Sequence, residues 1–160
     1  MSLPAPIMSL SQEIAFKRAA DLLAYGSATI PNSDAMKKIV EERLLGLGAE
    51  FAVAARRCFE VEFHDVKKPQ IPITAKRFHY EPPGECKQET NLMRALHGII
   101  HARSLEVSFF HNPDGPFAEA GNLIPLHYVF TTDRVTRTYV DIFGMAWAFL
   151  SFGPFAWDLT

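Results

Sequence analysis

The chain has 160 residues, 48% of them hydrophobic and 21% charged, which is ordinary usage for one globular domain and far from the signature of disorder. Sixteen basic and eighteen acidic side chains leave a formal charge of −2, so no global positive field draws in nucleic acid. Cys58 and Cys86 are widely spaced and form no CxxC pattern, which offers no zinc framework and fits free thiols in a reducing compartment.

Residues 1–10 read as an N-terminal tail lacking the basic stretch and long apolar run of a secretory signal, so a cytoplasmic location is expected. A first helix is predicted from Ser11, as a possible cap, to about Tyr25, with Ile14, Ala15, Leu22 and Leu23 at helical spacing and Gly26 as its end. Pro31, Asn32 and Ser33 signal a second start. From Asp34 the helical pattern continues through Ile39, Val40, Leu44, Leu45, Phe51 and Val53 to about Phe59, with Gly46 and Gly48 marking a bend or a close approach. Val66 to Gly84 carries Pro69, Pro72, Pro82 and Pro83 and reads as a loop or extended connection. A third helix is predicted from about Gln88 to Arg103.

Beyond it the period changes. Leu105–Phe110, Leu123–Thr131 and Arg137–Val140 are rich in strand formers, with turn chemistry at 112–116 and 131–134, and together predict a small antiparallel sheet or hairpin. A helix-compatible apolar run from Tyr139 or Asp141 to Ser151 follows, stopped by Gly153 and Pro154, and 152–160 form an aromatic C-terminal tail. The uncharged stretch 142–157 is shorter than the roughly 20 apolar residues of a bilayer span, so no membrane span is expected. The predicted fold class is mainly α with a small β-hairpin near 105–140, a helical bundle forming a single domain over 11–151. Thirteen Phe residues suggest that some rings lie in an interface.

One constellation carries possible chemistry. At about 100° per residue, Arg94, His97, Gly98 and His101 share a helix face with Thr90 and Asn91, while Leu92, Met93, Leu96, Ile99 and Ile100 lie opposite. Two imidazoles with ordinary pKa values near roughly 6.5 can serve as base and acid, and a guanidinium suits phosphate oxygens. One His taking the ribose 2′-OH proton, Arg94 holding the phosphate and the other His or water protonating the leaving oxygen would cleave RNA. Gly98 would let a backbone or phosphate approach the helix.

The stretch RALHGIIHA, with Arg94 and His101 separated by six residues, resembles the Arg-x4-6-His signature of HEPN domains. The resemblance covers about ten residues. It implies a HEPN-like helical bundle that dimerises and belongs with metal-independent ribonucleases, Arg94 contacting phosphate and His101 acting as base, with two copies meeting across a homodimer. His97 joins the catalytic candidates from the helical wheel. Active members commonly carry a polar residue after the Arg, where this chain has Ala95.

Other readings stand beside this one. Arg94, His97 and His101 also suit a solvated or interhelical polar stripe paired with carboxylates. His97 and His101 have the i, i+4 spacing of HExxH metal sites, but Gly98 replaces the Glu; His111, Asp114 or His127 could complete such a site only through folding, so no metal is assigned. Arg56, Arg57, Lys67, Lys68, Lys76 and Arg77 interleave with Phe78, His79 and Tyr80 as in single-strand RNA sites, offset by Glu60, Glu62 and Asp65. Cys58 reads as a buried small hydrophobe. No phosphate loop, dinucleotide fingerprint or GxSxG elbow occurs, so no cofactor is assigned. The competing class is a non-catalytic interaction or structural protein, a homodimer or a binder of a protein partner, using Phe149, Phe152, Phe155 and Trp157.

Overall fold

The computed structural model describes residues 5–114 and 120–152, with side chains from Leu10 onward. Chain order is α1 (Ala5–Gly26), β1 (Ile30–Pro31), α2 (Asp34–Glu62), β2 (Lys87–Gln88), α3 (Leu92–Ile100), β3 (Ser104–Asn112), β4 (Asn122–Thr131), β5 (Thr138–Asp141) and α4 (Ile142–Leu150).

Local chemistry sets several starts. Ser33 caps α2 by accepting from the Met36 amide, and Asp34 adds a carboxylate to its first turn. Asn91 caps α3 through the Arg94 amide at 3.1 Å, and Asp141 caps α4 through the Gly144 amide at 2.6 Å. The first helix differs from expectation: it begins at Ala5, so Ser11 is buried inside it rather than capping it. Of the aromatic tail read over 152–160, only Phe152 lies within the described residues.

The sheet is the larger departure. β4 pairs along its whole length with antiparallel β3, while its other edge takes β1 at Asn122–Leu123 and β5 at His127–Phe130. Pro125 falls in the gap between those two partners, beside a register shift between Ser108 and Phe109, where a missing N–H is tolerated. β2 then extends β5 in parallel, Lys87 opposite Thr138 and Gln88 opposite Tyr139.

β4 is buried from Asn122 to Phe130 on both faces. On one face Tyr128, Phe130 and Val140 join the helices in a core with Phe51, Phe59 and Phe149, whose rings meet at centroid separations of 5.4 and 6.1 Å. Tyr128 donates its hydroxyl to the Leu44 carbonyl, and its ring lies where a Cβ at Gly48 would be, so that glycine marks a close approach. Register puts His127, Val129, Tyr139 and Asp141 on the opposite face, where Tyr80 stacks on Phe110 at 3.8 Å.

The expected helical bundle with an appended hairpin, HEPN-like, is therefore corrected to a mixed α/β fold, with four helices and a five-stranded mixed sheet among the described residues. A strand buried on both faces is a central layer and not an appendage. β1 and β2 contribute two residues each, too few for any periodicity, and join only through partners distant in sequence. Among the described residues no helix is long and apolar enough to cross a membrane.

Candidate functional site

Helix α3 sits on β4 with no space between Gly98 and the Phe130 ring. Gly98 is buried along with Leu92, Ala95, Leu96 and Ile99, and at the groove wall the Phe130 ring fills the space its missing side chain leaves. This seating turns Arg94, His97 and His101 outward together. α3 is shorter than predicted, because Lys87 and Glu89 donate their amides to Arg137 and Tyr139 and so hold the preceding segment along β5. His101 is the C-cap, its amide bonded to the His97 carbonyl.

The three residues line one groove of about 940 Å³. Arg56 and Lys68 border it from α2 and the segment after it, Lys87 from β2, and Arg134 from the β4–β5 connection. With Arg94 this makes five permanent cations against two carboxylates, Glu89 and Asp133, in a protein of net charge −2. Asp133 is itself paired with Arg103. The groove is a local positive patch, and it is assembled within a single chain.

Within the groove the His97 and His101 rings stand 4.4 Å apart, centroid to centroid. His101 Nε2 lies 3.4 Å from Arg56 Nη1, and Arg56 also donates through Nε to Glu60 at 2.8 Å. Burial holds the His97 pKa below the usual imidazole value, and the charges of His101, Arg56, Arg134 and Lys68 push the same way. The neutral form of His97 is therefore favoured at pH 7. Arg94 donates through Nε to both oxygens of Glu89, each at 3.2 Å, and its side chain stays 68% exposed. Glu89 also accepts from the amides of Thr90 and Asn91, which anchors the arginine to the helix start.

Among the described residues the metal alternative is not assembled. His111 is engaged with Asn32 and the Ala120 carbonyl, His127 lies on the far face of the sheet, and among the described residues no group of three His, Cys, Asp or Glu is placed to hold a metal. Cys58 is buried, its thiol pushed up to about 12. Ala95 is wholly buried, so the position after Arg94 faces the core and not the groove.

The basic and aromatic segment divides in two: Arg56 and Lys68 go to the groove, while Lys76, Phe78, His79 and Tyr80 border a second, smaller pocket of about 240 Å³. In that pocket His127 is 3% exposed and its Nδ1 has no hydrogen-bond partner among the described residues. Burial lowers its pKa to about 4, so the ring is neutral. An unmade bond at such a depth costs about 1–3 kcal/mol. Sequence reasoning missed Lys87, Glu89 and Arg134 as groove residues and His127 as a pocket residue. The acid two positions before the Asn91 cap was a usable signal for Glu89; the other three carry no local signature.

No family model matches the chain, and comparison with curated proteins and with solved structures gives no match. Fold and site define a mixed α/β protein with a cationic, histidine-bearing groove at one end of its sheet.

Proposed function

We propose that the groove holds the backbone of single-stranded RNA and that the protein cleaves it without a metal. The observation that carries this reading is the pair of adjacent imidazoles, His97 and His101, in a groove whose charge is opposite in sign to that of the whole protein. Arg94 and Arg134 hold phosphate oxygens. Neutral His97 takes the proton of the ribose 2′-OH, the 2′-oxygen forms a bond to phosphorus, and the bond from phosphorus to the 5′-oxygen breaks. That oxygen takes a proton from water or from protonated His101, giving a 2′,3′-cyclic phosphate and a 5′-hydroxyl end. The HEPN resemblance gives the base to His101; we assign it to His97, whose lowered pKa keeps the ring in its neutral, proton-accepting form.

The test is cleavage of labelled single-stranded RNA in excess EDTA by the parent and by Arg94→Ala, His97→Ala and His101→Ala. Parental activity with cyclic-phosphate products, lost in each variant and absent on a strand with 2′-deoxyribose at the cleavage position, supports the reading. Equal cleavage by all four proteins, or none, overturns the catalytic part. Binding of the uncut strand, measured by fluorescence anisotropy, then decides whether the groove is an RNA-binding site alone.

A further inference from the structure

The two cavities lie on opposite faces of the sheet: β4 and β5 give Phe130 and Thr138 to the groove and His127 and Tyr139 to the smaller pocket, and the edge strand β2 borders both. Lys87, opposite Thr138, lines the groove, and Gln88, opposite Tyr139, lines both the groove and the smaller pocket. In a parallel ladder alternate residues bond to the partner strand. With the Lys87 and Glu89 backbone N–H groups donating to Arg137 and Tyr139, the Gln88 backbone N–H points to the outer edge, and register sets the Gln88 side chain on the same face as Tyr139, beside the smaller pocket.

The chemistry of the pocket differs from that of the groove. Its volume of about 240 Å³ is below the roughly 300–1,000 Å³ of sites for drug-sized ligands, so it suits a single ring system. One wall is aromatic: Phe78 and Tyr80 stack at 5.7 Å, and Tyr80 stacks in turn on Phe110. Its floor is His127, packed edge-on against Tyr139 at 4.9 Å, with an Nδ1 that has no hydrogen-bond partner among the described residues. Glu81 and Asp141 face Lys76 across the lining, so the pocket gives an anion no net attraction. An uncharged planar ring with donors and acceptors on its edge is what these walls and polar groups fit.

We propose that this pocket takes one nucleobase of the RNA strand whose backbone lies in the groove, with His127 Nδ1 and the Gln88 side-chain amide meeting the edge of the base beside Tyr80. The inference rests on the RNA reading of the groove for the identity of the strand. The pocket itself is tested independently, because a free nucleoside carries the base without the phosphate.

The experiment titrates ¹⁵N-labelled protein with adenosine, guanosine, cytidine and uridine separately, following the His127 ring nitrogens and the Gln88 side-chain amide by NMR. It also compares, by anisotropy, a short single-stranded RNA with an abasic ribose-phosphate chain of equal length. The expected result is that at least one nucleoside shifts both signals, that Gln88→Ala weakens it about tenfold, and that RNA binds more tightly than the abasic chain. If no nucleoside moves either signal, the base pocket is overturned. If RNA and the abasic chain bind equally, the base pocket is overturned while the groove reading survives. If nucleosides bind at His127 but the abasic chain does not bind at all, the base pocket stands and the groove reading fails.

Discussion

The Phe130 ring occupies the space that a side chain at Gly98 would need, and this single contact sets how α3 lies on the sheet and hence where His97 and His101 point. Replacing Gly98 with Ala gains about 1 kcal/mol of helix propensity but overpacks a buried contact, which costs typically about 1–3 kcal/mol and moves the helix. Because the colliding atoms are ring carbons of a nearly buried Phe, the packing cost wins. Gly98→Ala is expected to lower the urea midpoint and to reduce RNA cleavage more than its stability loss explains. An unchanged or raised midpoint would refute the packing account.

Arg94 and Glu89 are joined at the groove wall, and the arginine is largely exposed. Exposed ion pairs are worth about 0–1 kcal/mol, and Glu89 keeps its two backbone partners without Arg94. Arg94→Ala is therefore expected to leave stability within about 1 kcal/mol of the parent. Its RNA affinity should drop, and the slope of log affinity against log salt should shrink in magnitude by about 0.7, the loss of one phosphate contact on a single strand. An unaltered salt slope would remove Arg94 from the phosphate path.

His97 has its pKa lowered by burial and by the charges of His101, Arg56, Arg134 and Lys68. The acid limb of the cleavage rate, which follows loss of the neutral base, is expected below the usual histidine range. Arg134→Ala removes one of those charges and should move the limb, and the NMR titration of His97, toward higher pH. A limb that stays fixed while the His97 titration moves would show that another group is the base.

His127 contributes a pH dependence to stability of definite sign. Its pKa falls from an ordinary 6.5 when unfolded to about 4 when folded, so between those values the unfolded chain binds a proton that the native state does not. The stability is fully present above pH 6.5 and is lost as pH falls toward 4, an effect of about 3 kcal/mol. Urea unfolding from pH 7 to 4 should show this loss in the parent and a smaller one in His127→Leu. Parallel curves for the two proteins would contradict a buried neutral His127.

Much of this architecture was readable in advance wherever the signal is local. The α2 start at Asp34, the proline-rich connection, three of the five strands and the shared exposure of Arg94, His97 and His101 follow from caps, turn residues and periodicity over a few positions. The Phe130 ring against Gly98 was not legible, because a helical wheel assigns a face but not its neighbour, and a glycine fits a polar stripe and a tight packing contact equally well. The bundle was misread because β4, with polar His127 and Asn122 among its apolar residues, resembles a half-exposed hairpin strand until both of its faces are seen to be covered.

The sequence by itself determined where the chain is helical or extended and which helix face bears the imidazoles, because these depend on steric and hydrogen-bonding preferences within a turn or two of backbone. Only the tertiary structure decided that Arg56, Lys87 and Arg134 converge on that face and that Gln88 bridges groove and pocket. It also decided that His127 forms the nearly buried floor of the smaller pocket, with one ring nitrogen unmatched among the described residues. Those relationships join residues up to 78 positions apart, as Arg56 and Arg134 are. They arise from burying apolar surface, a force that is non-directional and leaves no periodic mark on the side chains it brings together.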